Sequence, residues 1–344
     1  MNLNHQTKIW LILISLWIIN GSSFLAIKVA IDTIPPLLSA GLRFSIAGAI
    51  LFTIYFLQVN RPRLWEHHDV ELSQKIHDVG QQVRSSVKVP RERITLHQWK
   101  DSLILGVTLF LGGQGLLTWG AQYLSSGMTG LLNSTIPLWV AIIGYVIYRW
   151  FKRNTLGKKM SRATVLGLVA GFGGLMLLVG PSIGSGDLDP IGTAALIISS
   201  ISWAIGSIYS TKARLPVSIL ASAGMIMITG GLMLTSVSFL FGEYRDLDLM
   251  QISVQSIVAQ IYLIGIITIV GFTDFYWLLR VTSASLANTF AYVSPVIAVL
   301  LGVVVLHENL TLITIIAMVI ILSGVALMVT KKKAPSKSKQ IQSS

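Results

Sequence analysis

Cysteine is absent from the 344-residue chain, and charged residues make up only 12% of it. The absence of cysteine excludes disulfide bonds, thiolate metal ligands and cysteine nucleophiles. So few charges cannot cover an ordinary soluble globular protein, in which about a quarter of the residues are charged. A disordered chain is excluded as well, because 53% of the residues are hydrophobic and disordered segments are poor in such residues.

What the chain does have is long apolar runs. A helix that crosses a bilayer needs roughly 20 apolar residues. Ten segments meet this requirement: Ile9–Ile31, Pro36–Gln58, Leu103–Leu124, Met128–Tyr148, Ala163–Val179, Ile191–Tyr209, Val217–Phe241, Val254–Leu279, Ser283–Leu306 and Thr311–Val329. We therefore expect a multi-pass protein of the cell membrane, with the lipid bilayer as its surroundings.

The basic residues are distributed unevenly between alternate loops. If the N-terminus lies in the cytoplasm, 23 of the 26 Lys and Arg residues fall in cytoplasmic segments, and the outer loops hold only Arg245. This bias is typical of multi-pass membrane proteins. We therefore expect both termini to be cytoplasmic. Topology accounts for the excess of basic residues, so a nucleic-acid partner is not expected.

An internal repeat appears when the sequence is shifted by 158 positions. Identical residues then align without a gap at Gly113 and Gly271, Trp119 and Trp277, Ser125 and Ser283, Pro137 and Pro295, and Gly144 and Gly302. A weaker match aligns Trp17–Lys28 with Trp203–Lys212. A unit of about five spans places the second copy in the opposite orientation, as in many secondary transporters. The sequence therefore predicts an all-α membrane protein with ten transmembrane helices, arranged as two inverted five-helix repeats.

Motifs in both halves carry a family resemblance. The first half contains the segment Trp17–Lys28 followed by Pro36 and Arg43-Phe44, and the second contains Thr282–Ala287, Ser294-Pro295, His307-Glu308 and Gly324. These motifs resemble EamA-type transporters of the drug/metabolite transporter superfamily. The resemblance covers roughly residues 9–150 and 190–329. It implies export or exchange of small metabolites, amino acids or drugs through a central cavity lined by helices of both halves.

The two halves are not equivalent in this comparison. The shift of 158 places Trp150 opposite Glu308, so the first half lacks the acidic residue of the motif. We expect a first repeat over residues 1–160 with a cytoplasmic insertion at 60–99. The second repeat is expected at about 190–329 within residues 161–330, and a basic cytoplasmic tail at 331–344.

Charged side chains within apolar spans are costly and are therefore functional candidates. Asp274 lies about six residues, roughly 9 Å, from the cytoplasmic end of its span; it either handles a proton or substrate or pairs structurally with Arg280. Lys28 either pairs with Asp32 one helical turn away or binds a substrate carboxylate. Arg43 is expected to find an interior partner, such as backbone carbonyls or Asp32, and to act in gating or structure.

Uncharged polar and aromatic side chains are candidates for the wall of a solute cavity. Interhelical hydrogen bonds and ring packing are the alternative account of the same residues. The set consists of Trp17, Asn20, Gln114, Asn133, Trp203, Tyr209, Asn288 and Tyr292. Glycines flank Gln114 on both sides, which predicts an irregular helix there, tolerated at membrane depth only beside protein or water.

Two prolines and a glutamate are candidates for gating or structural roles. Pro137 and Pro295 occupy matching repeat positions in mid-span, where each removes a backbone hydrogen bond and kinks its helix. The two kinks act either as hinges of a gate or only as a fixed bend in the helix. Glu308 is part of the family motif and is assigned to the same group. The pair His307-Glu308 is followed by Thr311 where a zinc motif needs a second histidine, so neither a metal nor another cofactor is expected.

The leading function is a secondary-active or facilitative transporter, expected to be an exporter, that moves a small organic solute by alternating access. Proton coupling through Asp274 and uncoupled facilitation both remain open. The chain is not expected to be an enzyme, since it has no nucleotide-binding loop and no nucleophile elbow. The alternatives are a membrane-embedded enzyme that acts on lipid, or a non-transporting membrane scaffold. The sequence predicts neither the substrate nor the oligomeric state.

Overall fold

The computed structural model describes residues 5–60, 94–151, 162–185, 189–245, 247–281 and 290–330, and within these ranges the chain is helical with no strand. The α-helices are α1 (His5–Ala30), α2 (Pro36–Asn60), α3 (Leu96–Leu105), α4 (Leu116–Gly120), α5 (Ser126–Asn133), α6 (Ile136–Phe151), α7 (Arg162–Ser185), α8 (Pro190–Ser210), α9 (Ile219–Leu240), α10 (Val254–Tyr262), α11 (Gly271–Val281), α12 (Phe290–Leu306) and α13 (Leu312–Thr330). Two π-helical segments, π1 (Gly106–Gly115) and π2 (Leu263–Val270), continue α3 into α4 and α10 into α11.

The membrane architecture expected from composition is confirmed. Seven helical stretches are long and apolar enough to cross a membrane: Gln6–Ala30, Pro36–Val59, Leu96–Gly120, Ser126–Ile147, Pro190–Ser210, Ile219–Leu240 and Val254–Phe275. Three shorter apolar stretches, Thr164–Leu177, Val293–Leu306 and Leu312–Leu327, lie in α7, α12 and α13. The expected number of ten spans therefore exceeds the seven that meet the length criterion within the described residues.

The chain divides into two compact units, and each unit combines segments from both ends of the sequence. Unit 1 consists of residues 1–25, 123–200 and 273–344, and unit 2 of residues 26–122 and 201–272. The helices α1 and α8 contribute to both units, as does the continuous helix formed by α10, π2 and α11. The long-range contacts that build each unit therefore come from helices far apart in sequence.

Unit 2 is built around the pairing of α2 with α9. Glycines line both sides of this contact, with Gly41 against Thr235, Gly48 against Ile228, Gly224 against Phe52, and Gly231 against Ser45. Residue numbers fall along α9 as they rise along α2, so the two helices run antiparallel. Small residues let helix backbones approach closely, and in lipid this close packing replaces hydrophobic burial as the source of association.

The start of α2 is fixed by a carboxylate from the short 3-10 helix Glu243–Arg245, which follows α9. Pro36 occupies the first turn, where its missing N–H costs nothing. The next two amides, of Leu37 and Leu38, donate to the carboxylate of Glu243 at 3.2 and 2.9 Å. The hydroxyl of Ser238 donates to the same carboxylate at 2.7 Å. An acid at a helix N-terminus also complements the helix dipole.

Unit 1 contains two further helix pairs. In the α7–α13 pair, Gly324 lies against Gly171, and Gly174 lies against Ile321, so these helices are antiparallel too. The surrounding core consists of fully buried residues, among them Leu138, Ala317, Ile321 and Val325. A side chain added at Gly324 would meet the backbone of α7.

The second pair of unit 1 is formed by α5 and α12. Gly127 lies against Val299 and Gly130 against Ala298, which again gives antiparallel packing. Leu131 and Leu132 of α5 are fully buried in the same core as Val299. In the described parts of the chain, these three helix pairs thus share one construction, in which glycines lie at the contact and the helix directions are opposed.

Candidate functional site

Arg43 is a charged side chain of unit 2 within an apolar helix. It lies on α2, is buried to 7% exposure, and donates from Nε to the Thr268 hydroxyl of π2 at 2.9 Å. Its guanidinium carbon lies 4.7 Å from the ring centroid of Phe44, a distance at which a cation is attracted by the ring face. The interior partner expected from sequence is therefore a side-chain hydroxyl and an aromatic face. Among the described residues, no carboxylate is paired with it.

The Thr268 hydroxyl also contacts the backbone of π2. It donates to the Leu263 carbonyl, five residues earlier, at 2.8 Å. In π geometry the carbonyl five residues back is the backbone partner, and short π segments are frequent at functional sites. Arg43, Thr268 and Leu263 therefore form one chain of hydrogen bonds that ties α2 to the irregular backbone of π2.

A second polar link joins α2 to the same long helix, one turn nearer the start of α2. The Ser39 hydroxyl donates to Oε1 of Gln260 at 2.7 Å, and Nε2 of Gln260 donates to the Ser39 carbonyl at 2.8 Å. Both residues are buried. Ser39 and Arg43 are four residues apart and share a face of α2, so this face is polar within an apolar helix.

The irregular helix predicted around Gln114 is present as π1. Its Thr108 carbonyl accepts a hydrogen bond from the Ser202 hydroxyl of α8 at 2.8 Å. A Cβ added at Gly112 would overlap Ser202, and one added at Gly113 would lie 3.0 Å from the Trp203 ring. Gly112 and Gly113 therefore make room for α8, where the half-buried Trp203 lies, and Gly115 on the other side of Gln114 faces Leu234 of α9. Gln114 itself is half-buried.

Lys28 and Tyr209 take partners near the two ends of unit 2. Nζ of Lys28 donates to the carbonyls of Ala121 and Gln122, just beyond α4, at 2.8 and 3.1 Å. Cations are favourable at a helix C-terminus because they complement the helix dipole. The Tyr209 hydroxyl donates to Asp101 Oδ1 at 2.6 Å. Both contacts cross between sequence-distant helices.

In unit 1 the intramembrane carboxylate is Asp274. The hydroxyl of Ser15 on α1 donates to its Oδ2 at 3.1 Å, and the carboxylate is partly buried. Trp17 packs nearby in a cluster with Leu13, Leu16 and Leu278. The Asn20 amide donates to the Leu16 carbonyl of its own helix at 2.9 Å. Asp274 is thus tied to α1 through Ser15.

The two matching prolines occupy different local structures in unit 1. Pro137 is the second residue of α6, which begins after a break between Asn133 and Ile136. Pro295 lies inside α12. Asn133 is the half-buried last residue of α5. The helix of the first half is interrupted at its proline position, whereas α12 continues through Pro295.

Glu308 fixes the start of α5. Its two carboxylate oxygens accept from the backbone amides of Ser126 and Gly127 at 2.6 and 3.2 Å. The preceding residue, His307, has φ 54°, a left-handed backbone conformation that turns the chain from α12 back towards this contact. Glu308 in unit 1 and Glu243 in unit 2 thus make the same kind of contact with a helix N-terminus.

The remaining predicted residues are Asn288 and Tyr292. Asn288 lies outside the described residues, and Tyr292 lies on α12 with its side chain outside the description. Of the other predicted site residues, Lys28, Arg43, Gln114, Trp203 and Tyr209 belong to unit 2, and Trp17, Asn20, Asn133, Pro137, Asp274, Pro295 and Glu308 belong to unit 1. Each unit therefore holds its own polar network.

The sequence pattern of the EamA-like transporter family matches residues 85–180 and 190–330. These two segments cover more than half of the chain.

The chain belongs to the EamA-like transporter family.

This EamA-like protein has relatives of nearly equal length. It is 27% identical over 323 residues to the "Uncharacterized transporter YoaV" of Bacillus subtilis (strain 168), covering 93% of this chain and 96% of the relative. It is 29% identical over 321 residues to the "Uncharacterized inner membrane transporter YedA" of Escherichia coli (strain K12), covering 93% and 90%. One crystal structure covers 94% of this chain and 97% of its own with a TM-score of 0.55 at 18% identity, which supports the fold alone.

Family membership makes this protein a multi-pass membrane transporter. The expected resemblance to EamA-type transporters is confirmed. No group of three or more His, Asp or Glu side chains that could hold a metal ion occurs among the described residues.

Sequence reasoning missed the partners of the residues that it singled out. Thr268, Gln260, Ser39, Ser15 and Asp101 complete the polar contacts described above. One signal was available: polar residues four or eight positions apart in apolar spans, as at Ser39 and Arg43 or Gln260 and Thr268, lie near one face of a helix. Isolated Ser and Thr residues are common in membrane helices, so this spacing alone did not distinguish them as functional candidates.

Proposed function

We propose that this protein is a secondary-active or facilitative exporter of a small organic solute, built from two inverted five-helix repeats that open alternately to the two sides of the membrane. The proposal rests on the helix contacts, which occur in pairs that are related by a constant shift in residue number. The repeat boundaries near residues 160 and 330 and the cytoplasmic location of both termini are part of the same proposal.

In unit 2, a constant shift in residue number relates the contacts of α2 to those of α9. A shift of 183 residues takes Gly41 to Gly224 and Gly48 to Gly231. The same shift turns the contact of Gly41 with Thr235 into that of Phe52 with Gly224, and the contact of Gly48 with Ile228 into that of Ser45 with Gly231. Paired contacts between antiparallel helices are what a two-fold axis between inverted copies would produce.

Unit 1 supports the same relation. A shift of 150 residues takes Gly174 to Gly324 and Gly171 to Ile321, so the contact of Gly174 with Ile321 corresponds to that of Gly324 with Gly171. The π segments add a third correspondence, because a shift of 158 residues carries the start of π1 to within one residue of the start of π2. Both halves therefore place an irregular backbone at the same point of the third helix of the repeat.

These π segments are suited to a conformational change. A π segment holds one more residue per turn than an α-helix, so its conversion to α geometry rotates the following residues by about 100°. In unit 2 the polar face of α2 and the Thr108 carbonyl lie beside these segments. Irregular backbone and intramembrane polar groups are tolerated where they line protein or water, which is consistent with a solute pathway.

A flux assay with a complex solute mixture tests the transport function. Sealed liposomes containing the purified protein would be loaded with a small-molecule extract of cells, and the retained solutes measured by mass spectrometry. We expect selective loss of a few solutes compared with protein-free liposomes. Loss should accelerate when the same solute is present outside, because exchange across an alternating-access carrier is faster than net efflux. Lipid conversion without solute loss would favour the membrane-enzyme alternative, and neither change would favour the scaffold.

Thiol labelling tests the topology, because the chain contains no cysteine and each introduced cysteine is the only target. Met250 lies in a proposed outer loop and is 96% exposed, and Thr211 lies in an exposed, proposed cytoplasmic loop. A membrane-impermeant maleimide should label Met250→Cys in intact cells and Thr211→Cys only after permeabilisation. The reverse pattern would overturn the proposed orientation.

Proton coupling is proposed for Asp274, whose carboxylate contacts Ser15. Asp274→Asn should abolish the pH dependence of solute flux while leaving exchange at constant pH. Ser15→Ala keeps the carboxylate and serves as the matched control, so it should retain the pH dependence. An unchanged pH profile in Asp274→Asn would favour uncoupled facilitation.

A further inference from the structure

A cavity of about 360 Å³ opens in unit 2 where α3 begins and α8 ends. It is lined mainly by charged and polar side chains: His97, Lys100, Asp101, Tyr209, Lys212 and Arg214. The apolar stretches Leu96–Gly120 and Pro190–Ser210 begin and end here, so the cavity lies at the boundary between membrane and water. Its volume falls within the range of small-ligand sites, roughly 300–1,000 Å³.

The cavity is assembled by the one acidic side chain among its lining residues. Oδ1 of Asp101 accepts from the Tyr209 hydroxyl at 2.6 Å, and Oδ2 accepts from the backbone amide of Arg214 at 2.6 Å. The amides of Lys212 and Ala213 also turn back onto the Tyr209 carbonyl. Asp101 therefore folds the loop after α8 against α3 and brings Lys212 and Arg214 opposite Lys100.

The charges of the lining do not cancel. Three cations face one carboxylate, and both oxygens of that carboxylate are already engaged with neutral donors. Among the described residues, the side-chain nitrogens of Lys100, Lys212 and Arg214 have no hydrogen-bonded partner. The positive-inside bias requires only a count of basic residues near a membrane surface. It does not require that these residues line one cavity whose loop is hydrogen-bonded to Asp101.

We propose that this cavity, which we call the anion pocket, binds a phosphate group. Three convergent cations would provide charge-assisted hydrogen bonds to phosphate oxygens. The phosphate could be carried by an anionic lipid headgroup or by a soluble phosphate ester. The lipid source is favoured by the apolar surface one turn deeper, where Leu103 and Ile205 are 43% and 45% exposed. Basic pockets between transmembrane helices on the cytoplasmic side bind anionic headgroups in this way.

Binding would be measured by native mass spectrometry of the full chain in detergent. The probes are phosphatidylglycerol, with phosphatidylcholine as the neutral comparison, and glycerol 3-phosphate as the soluble comparison. The pocket variant carries Lys100→Gln, Lys212→Gln and Arg214→Gln. The matched control carries Lys331→Gln, Lys332→Gln and Lys333→Gln, which removes the same charge on the same proposed side of the membrane.

The pocket variant should bind phosphatidylglycerol on the order of a hundredfold more weakly, since each basic residue near an anionic surface contributes roughly fivefold. The tail variant should bind phosphatidylglycerol as the wild type does, because on this proposal the headgroup is held by the cations that line the cavity and not by the tail. Competition by glycerol 3-phosphate would identify a soluble phosphate ester as the ligand, and its failure to compete would identify the lipid. Equal weakening in both variants, or no weakening in the pocket variant, would overturn the proposal.

A second variant separates a built pocket from general positive charge. Asp101→Ala removes a negative charge, so charge alone predicts tighter binding of phosphatidylglycerol. If the hydrogen bonds of Asp101 hold the pocket together, binding should weaken severalfold despite the added positive charge. Lys212→Gln, at an exposed position where folding is not at risk, should weaken binding by about fivefold. Tighter binding in Asp101→Ala would contradict the proposed geometry.

Discussion

The two π segments reach the same backbone geometry with different side chains. The first, π1, is rich in glycine and packs against α8, where Gly112 leaves room for Ser202. The second, π2, is rich in isoleucine, and it is held through the contact of Thr268 with Arg43. One irregular helix is therefore held by close packing. The other is held by the hydrogen bond from Arg43 to Thr268, which we call the polar lock.

If the proposed repeats are correct, this difference shows how two copies of one helix can diverge. Close packing resists motion through steric overlap, whereas a hydrogen bond can break and re-form at modest cost. We therefore expect π1 to be the more rigid of the two segments and π2 the one that changes conformation.

The largest effect is expected at Gly112. In Gly112→Leu, the added side chain overlaps Ser202 of α8, and overpacking of this kind costs about 1–3 kcal/mol or more in free energy of unfolding. Thermal unfolding of the purified protein in detergent should show a clear fall in Tm. The matched control is Gly265→Leu in π2, where no atom of the described residues outside the helix's own backbone and chain neighbours lies within 4 Å of the position of a Cβ. Equal values of Tm in the two variants would contradict the packing assigned to π1.

A smaller effect is expected when the polar lock of π2 is removed. Thr268→Val keeps the shape of the side chain but leaves the Nε–H of the buried Arg43 without its acceptor, at a cost of about 1–3 kcal/mol. Thr268→Ser retains the hydroxyl and should preserve stability.

A double-mutant cycle measures this contact directly. Thr268→Val and Arg43→Gln should be non-additive by about 1 kcal/mol, because the two residues share one hydrogen bond. Additive losses would mean that the contact between α2 and π2 carries no coupling energy.

The hydrogen bond from α8 to π1 should contribute less. Ser202→Ala removes one neutral donor to the Thr108 carbonyl, and interhelical hydrogen bonds in membranes average about 0.6 kcal/mol. Ser210→Ala is the comparison, since the Ser210 hydroxyl donates only to Ser207 of its own helix. A loss in Ser202→Ala as large as that in Thr268→Val would place a polar lock in π1 as well.

The smallest effect is expected for Gly265→Ala. The position has open space around it, and alanine is preferred over glycine in helices by up to about 1 kcal/mol. Unfolding should therefore shift slightly upwards in temperature, while solute flux slows if π2 must convert between π and α geometry. A stabilised variant with unchanged flux would argue against motion in π2.

The sequence predicted the helical membrane architecture because apolar run length reports directly on the bilayer. The family motifs, from Trp17 to Gly324, were equally visible, since they are contiguous in the chain. The irregular helix at Gln114 followed from its flanking glycines.

The partners within the site were not predictable in the same way. Arg43 was expected to contact carbonyls or Asp32, yet it contacts Thr268, 225 positions away along the chain. Asp32, one helical turn from Lys28, was an obvious candidate for its ion-pair partner. In the structure, the ammonium group of Lys28 donates to partners that include the carbonyls of Ala121 and Gln122. Local spacing predicts neighbours within one helix, and the partners here come from other helices.

By itself, the amino-acid sequence determined that this chain is a helical multi-pass membrane protein, and it predicted a repeat of the helices and the charges that lie within apolar spans. These properties depend on composition and periodicity, which are local along the chain. Only the tertiary structure decided that the glycines of α2 face those of α9, that Arg43 meets Thr268, and that Asp101 gathers three cations around one cavity. Those outcomes depend on how helices distant in sequence pack, where small residues permit close approach and each buried polar group needs a partner.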